Sequence, residues 1–109
     1  MKASEIIAVV DALKENYVGD DIKLEGINFV EGRVFCEIHR GKAEDFNKVT
    51  SFTEQLSIPA PYSNVYVLYV LAMVAFSNGE DALYRSLMSD FDKAYSEYAK
   101  YCMRSLKNS

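Results

Sequence analysis

The feature that most constrains this chain is an uninterrupted apolar run from Val65 to Phe76. Its twelve residues are too few for a helix that spans a bilayer, which needs roughly 20. A helix that is apolar on every side has to be surrounded by other elements, so the run indicates the centre of a domain. A β-strand is the competing interpretation, because Val, Tyr and Leu also suit sheets. The length of the run and its alanine-containing ending at 72–75 favour a helix.

The residues on either side of the run extend it into a helical hairpin. Pro61 suits the first turn of a helix, and Gly79 can end one in the left-handed conformation. Beyond the turn, apolar residues recur at intervals of three and four: Tyr84, Leu87, Phe91, Ala94, Tyr98 and Tyr101. This pattern predicts helices over about 61–78 and 80–107. The second would be about 40 Å long, so its far end is expected to project beyond the core and offer a docking surface.

Two more helices are predicted in the N-terminal half, over about 4–16 and 21–39. Ser4 suits the N-cap of the first. The second contains Gly26 and Gly32, which either weaken the helix or let another element pack closely against it. Together the four segments predict a single, mostly all-α domain over 1–109, with a four-helix core and a long C-terminal helix.

The stretch between about 40 and 60 shows no sustained period. It is predicted to form a long loop or a short extended arm. Such a connection is longer than the roughly 2–8 residues that usually join the helices of a bundle. Two interpretations stay open, namely an arm that contacts a partner and a disordered surface loop.

Charge and cysteine usage restrict the class of protein. A formal net charge of −4 argues against a general nucleic-acid binder, and no sequence-specific nucleic acid is expected as a partner. Cys36 and Cys102 lack the spacing of a disulfide framework and are interpreted as free, buried thiols in a reducing cytoplasm. The N-terminal residues form an amphipathic pattern rather than the apolar core of a signal peptide. We therefore expect a cytoplasmic protein with no membrane partner.

Residues that usually carry catalysis or metal binding are sparse and scattered. His39 is the only histidine, and no second histidine or cluster of cysteines accompanies it at metal-ligand spacing. The five glycines form no phosphate-binding loop. Glu25, Glu31 and Glu37 are six residues apart, which does not align them on one helical face, and they are interpreted as solvated surface groups. We expect no enzyme activity, no cofactor and no metal site.

Tyrosine is concentrated in the C-terminal part of the chain, where seven of the eight tyrosines follow residue 60. Tyrosine packs a large area and keeps a polar tip, and for that reason it is enriched at interfaces. Four of these residues are expected to line the bundle with their hydroxyls at its rim: Tyr66, Tyr69, Tyr84 and Tyr95. Tyr98 and Tyr101, on the distal part of the last helix, are predicted to lie in an interface.

A set of short motifs follows in a fixed order along most of the chain. The N-terminal half contains Val10-Asp11-Ala12-Leu13, Lys23, Ile27-Asn28 and Val30-Glu31-Gly32-Arg33. The C-terminal half contains Pro59-Ala60-Pro61-Tyr62, Tyr66, Tyr69, Ala72, Asn78-Gly79-Glu80, Tyr84, Met88, Phe91, Ala94-Tyr95, Tyr98 and Arg104. Their order and spacing resemble small phage and prophage proteins of the head-to-tail connector (head completion adaptor) family. The chain departs from that pattern at Gly26, where a large aromatic is expected, at Arg85-Ser86, which replaces an Asn pair, and at Tyr101, where Trp is frequent.

The resemblance implies a mostly helical structural protein that assembles as a ring on the portal vertex and forms part of the channel joining head and tail. Its partners would be the portal protein, other neck and tail-completion proteins, and further copies of itself. Such a protein would be found in the cytoplasm of the host cell and in the virion. Tyr98, Tyr101 and Arg104 are the candidates for partner docking.

Two other functions stay open from the residues alone. The first is a small cytoplasmic helical adaptor or regulatory protein that binds one protein partner as a monomer or a dimer. The second is a small-molecule binder or an enzyme built into the interior of the bundle. That second function would need a deep polar pocket, and the sequence offers few polar groups to line one.

Overall fold

The computed structural model describes residues 1–107, which form a mostly helical domain and confirm the predicted fold class. Helix α1 spans Ala3–Leu13, α2 spans Asp20–Glu37, α3 spans Asn64–Ser77 and α4 spans Asp81–Lys107. A short 3₁₀ helix at Ala43–Asp45 is the only other helix among these residues, and none of them belongs to a β-strand.

Helix α3 lies at the centre of the domain and contacts each of the other three helices. Its buried side chains are distributed all around the helix: Val65, Tyr66, Val67, Val70, Ala72, Val74 and Ala75. This confirms the prediction that the apolar run is surrounded by other elements. The other helices each bury one face against it, as amphipathic helices do.

Gly26 marks a close approach of α2 to α3. A Cβ built at this glycine would overlap the sulfur of Met73 and would lie 3.6 Å from the ring of Tyr69. Close packing is therefore the interpretation that holds at this position. Gly32 is different, because a Cβ there would be 3.5 Å from the ring of Phe46, which is an ordinary contact.

Helix α1 begins one residue before the predicted Ser4 cap. Lys2 has an extended backbone and takes the N-cap position, and the helix itself begins at Ala3. The N–H of Lys2 donates to Glu5 Oε1 at 2.9 Å, so the carboxylate of the first turn reaches back over the start of the helix.

Helix α3 begins at Asn64 rather than near the predicted Pro61. A turn precedes it, closed by a hydrogen bond of 2.8 Å from the N–H of Tyr62 to the carbonyl of Pro59. At the other end of α3 the hairpin turn follows the prediction, since Gly79 has a φ of +73°. Only glycine adopts this conformation without steric cost.

The connection between α2 and α3 is packed against the domain and is not a disordered surface loop. Three of its apolar side chains are buried: Val49, Leu56 and Ile58. Backbone hydrogen bonds join it to the N-terminus, from Ser4 N–H to the Phe52 carbonyl at 2.8 Å and from Leu56 N–H to the Met1 carbonyl at 2.9 Å. The extended pairing is confined to a single bridge between Lys2 and Gln55.

Two polar side chains of α2 anchor this connection. Asn28 accepts a hydrogen bond from the Val49 N–H at 2.7 Å and donates to the Val49 carbonyl at 2.9 Å. Glu31 accepts from the N–H of Ser57 at 3.0 Å and from its hydroxyl at 2.8 Å. The Tyr66 hydroxyl of α3 donates to the other oxygen of Glu31. Since the Ile58 N–H donates to the Tyr66 hydroxyl at 2.8 Å, the connection is bonded to two helices at once.

Helix α4 packs along α3 and continues past its beginning. It has 27 residues, whereas α3 has 14. Near its far end the neighbours are the ring of Tyr62, 4.9 Å from that of Tyr101, and the last residues of α2 with Ile38. The far end of α4 therefore lengthens the domain, with one side covered and the other exposed.

Candidate functional site

The structure separates the three residues predicted for partner docking. Tyr98 is 4% exposed and packs inside the domain, which corrects its prediction as a surface interface residue. Tyr101 is 42% exposed, and Arg104, three residues further, is also exposed. Tyr98 is buried because its spacing places it on the same stripe of α4 as the buried Phe91 and Tyr95.

Tyr98 still influences the surface, because it belongs to a cluster of three aromatic rings. The Tyr62 ring lies 5.5 Å from that of Tyr98 and 4.9 Å from that of Tyr101, measured between centroids. Contacts of this kind contribute about 0.5–1.5 kcal/mol beyond burial. Burial, followed by a hydrogen bond with Cys102, raises the pKa of Tyr98. Tyr62 thus packs against both the buried Tyr98 and the half-exposed Tyr101.

An open apolar cavity of about 280 Å³ lies between the end of α2 and the distal part of α4. We call it the distal groove, and it is lined by Glu37, Ile38, Arg40, Tyr95, Ala99, Cys102, Met103 and Leu106. Met103 is 59% exposed and Leu106 is 69% exposed. Large exposed apolar side chains beside a groove are typical of a protein-binding surface.

Three side chains form a closed cluster at one wall of the distal groove. The Arg33 guanidinium lies 4.1 Å from the centroid of the Tyr95 ring, and its Nε donates to Glu37 Oε2 at 3.0 Å. The Tyr95 hydroxyl donates to the same oxygen at 2.7 Å. That hydrogen bond, with help from Arg33, holds the pKa of Glu37 below its usual value. Burial, followed by this bond, raises the pKa of Tyr95. The cluster joins α2 to α4 and fixes this wall of the groove.

A second cavity, of about 530 Å³, lies on the other flank of distal α4. We call this side the tyrosine flank, and its lining is Ile38, His39, Arg40, Tyr101, Cys102, Ser105 and Leu106. The exposed Tyr101 belongs to this flank, and the exposed Arg104 follows it after three residues on α4. Distal α4 therefore presents two overlapping surfaces, which share the end of α2 together with Cys102 and Leu106.

The opposite end of the domain carries another apolar surface, which we call the tip surface. It surrounds a cavity of about 330 Å³ lined by Ile22, Tyr69, Met73, Phe76, Ser77, Tyr84 and Met88. Phe76 is 66% exposed and Ile22 is 46% exposed. Phe76 is the last residue of the apolar run, so the prediction of a fully surrounded helix does not extend to its end.

Sequence reasoning missed the polar contacts inside the domain. Glu31, predicted to be solvated, is 5% exposed. The signal was available, since Glu31 lies four residues after Ile27 and three before Val34, on the buried face of α2. The Tyr66 hydroxyl was predicted at the rim of the bundle, yet it lies inside and binds Glu31. Neither group forms part of the three surfaces described above.

The described residues show no grouping that would hold a metal ion and no helix with the length and hydropathy of a membrane span. Cys36 and Cys102 are free thiols, as predicted. The chemistry that the surfaces offer is apolar contact, aromatic stacking and hydrogen bonding from arginine. These are the interactions through which proteins bind one another.

Comparisons with known proteins add no relative to this description. No protein-family model, no curated protein and no solved structure matches the chain.

Proposed function

We propose that this protein is a structural subunit of a phage or prophage head–tail connector, which assembles as a ring on the portal vertex and joins head to tail. The motif order described above supports the family. The observation that carries the proposal is the exposed surface on distal α4. Tyr101 and Arg104 are exposed there, and the ring of Tyr101 packs against that of Tyr62. A connector subunit needs a docking surface of this kind because it works by assembly.

The residue types at this surface suit a protein partner. Tyrosine and arginine are enriched among the residues that dominate binding energy at interfaces. The ring of Tyr101 is already stacked on Tyr62, so less side-chain freedom is lost when a partner binds it. Arg104 extends from the same region of α4 and can pair with a carboxylate through two parallel hydrogen bonds. We assign these two residues to the contact with the portal protein.

Proteins of this kind would be made in the host cytoplasm and then incorporated into the virion, next to other neck and tail-completion proteins. The net charge of −4 suits a component of a DNA channel, because like charges do not adhere. No cofactor is required for such a role.

The test is co-sedimentation with the portal protein that is encoded in the same genome. We expect the wild type to bind, and Tyr101→Ala and Arg104→Ala to weaken binding at least tenfold, which is the effect of about 1.4 kcal/mol. Tyr17→Ala is the matched control, because Tyr17 is 97% exposed and lies outside all three surfaces. It is expected to bind like the wild type.

The outcomes separate the site from the function. Binding that survives both distal variants would remove the docking assignment and leave the connector function in place. No binding, to a portal shown to accept other neck proteins, would overturn the connector function. A one-to-one complex with some other protein would instead support the adaptor alternative.

A further inference from the structure

The two ends of the domain carry opposite charges. Around the tip surface the chain places four carboxylates at the beginnings of helices: Asp20, Asp21, Glu80 and Asp81. The cations of that end are Lys14, which is paired with Glu80 at 2.8 Å, Lys23, which is paired with Asp11 at 2.6 Å, and Arg85. At the distal groove cations outnumber carboxylates, since Arg40 lines it and Lys100 and Arg104 flank its α4 wall. Of the two carboxylates there, Glu37 is bonded to Arg33 and Tyr95, and Glu97 lies 4.0 Å from Lys100.

Both ends carry an open apolar cavity, and they differ in the side chains exposed beside it. The tip surface has the exposed ring of Phe76, which packs 5.3 Å from the ring of Tyr84, and Leu83 on the next helix is 37% exposed. The distal groove has a volume of about 280 Å³. Pockets for small molecules usually measure roughly 300–1,000 Å³, so the groove is slightly smaller than these. A single aromatic side chain suits a groove of this size. One end thus offers an exposed aromatic ring among carboxylates, and the other offers a groove beside cations.

We infer that the tip surface of one copy binds in the distal groove of a second copy, with Phe76 in the groove and the acidic helix beginnings facing Arg40 and Lys100. This inference specifies the contact between copies in the proposed connector and rests on that function. Complementary charge selects a second copy as the occupant, because the same chain supplies both members of the pair.

The contact is heterologous, because two different surfaces of the chain meet. Tyr84 of the tip surface and Met103 of the groove are 19 residues apart on α4, or about 28 Å along the helix. Each copy therefore keeps one surface available after the other is occupied, and the contact propagates into a ring or a filament. Met103 and Tyr101 lie about 160° apart around α4, so Tyr101 faces away from the groove and stays accessible to a different partner.

The test uses two variants that each remove one half of the contact. Phe76→Asp damages the tip surface, and Met103→Asp damages the groove with a charge that also repels the acidic tip. Both side chains are more than half exposed, so both variants are expected to fold, which circular dichroism checks. Phe52→Asp is the control with the same kind of change, because Phe52 is 39% exposed in the connection between α2 and α3 and lines neither surface.

Sedimentation velocity at high protein concentration and low ionic strength is the measurement. We expect the wild type and Phe52→Asp to form species larger than a dimer, which decrease as salt screens the charges. Each damaged variant alone is expected to stay monomeric. Mixed in equal amounts, the two variants are expected to form a heterodimer and nothing larger, because only one intact tip and one intact groove can meet.

Three results would overturn the inference: a wild type that stays monomeric throughout, a wild type that stops at a dimer, or a mixture that does not form the heterodimer. The portal assay is independent of this one. Portal binding without self-association would remove the contact between copies but keep the connector function. Self-association without portal binding would keep the contact between copies and remove the connector function.

Discussion

At the scale of single residues, the carboxylate of Glu31 connects three parts of the chain. It accepts hydrogen bonds from Ser57 in the connection and from the Tyr66 hydroxyl on the central helix. That hydroxyl also accepts a hydrogen bond from the Ile58 N–H at 2.8 Å. Burial, followed by the charge of Glu31, raises the pKa of Tyr66, so its hydroxyl stays protonated and able to donate. All members of this buried network are satisfied, which is the condition under which such a network stabilises a fold.

Replacing Tyr66 by Phe is expected to lower the free energy of unfolding by about 1–3 kcal/mol, because a buried carboxylate loses a donor and the Ile58 N–H loses its acceptor. Urea denaturation measures the change. Tyr101→Phe is the control, since that hydroxyl lies on a half-exposed ring and its loss is expected to stay within about 0.5 kcal/mol. Equal effects of the two substitutions would contradict the role given to the network.

Acid sensitivity is also set by individual residues. A hydrogen bond from Lys23 lowers the pKa of Asp11, and one from Tyr95 lowers the pKa of Glu37. A carboxyl group whose pKa is lowered by folding stabilises the fold above its unfolded-state pKa, and this contribution disappears as the pH falls through the folded-state pKa. The free energy of unfolding should therefore decrease on acidification below about pH 5.

The variant Tyr95→Phe should show a smaller decrease over the same pH range, because the main cause of the lowered pKa of Glu37 is removed. Tyr84→Phe, in the same helix but without a carboxylate partner among the bonds described, is expected to follow the wild type. Urea unfolding measured from pH 7 to about pH 3 compares the three proteins. Identical pH profiles would show that the Tyr95 bond does not act on Glu37.

At the scale of elements, the periodic segments were predictable and the connection between α2 and α3 was not. Helix α4 has a 3-4 spacing that can be read directly, and the apolar run of α3 required burial on all sides. The connection depends instead on pairs such as Asn28 and Val49, which lie 21 residues apart and leave no local pattern. The predicted start of α3 was wrong for the same reason. The helix begins after a turn, and the hydrogen bond that closes this turn leaves no trace in the apolar pattern.

The anchoring of this connection can be tested by hydrogen exchange. Asn28→Ala removes both hydrogen bonds to Val49, so the amides of residues 46–58 are expected to exchange faster while those of α3 keep their protection. Asn47→Ala is the control, because Asn47 is exposed in the same segment. Unchanged exchange in the Asn28 variant would mean that the buried side chains alone hold the connection.

At the scale of the whole molecule, the domain measures 43 × 28 × 24 Å, and the tip surface and the distal groove occupy opposite ends of α4. The sequence indicated that distal α4 would matter, and Tyr101 and Arg104 are indeed exposed there. It could not indicate the groove, because the groove exists only where Ile38 and Arg40 meet α4. The sequence also could not indicate that the tip end is acidic and the distal end basic, because this depends on which helix ends lie together after folding.

The measurement that tests the connector proposal most directly is a cryo-EM reconstruction of this protein mixed with the portal protein from the same genome. We predict a ring of copies on the portal, with Tyr101 and Arg104 of each copy against the portal and Phe76 of each copy in the distal groove of the next. A portal that carries other neck proteins but shows no density for this protein would contradict the proposal.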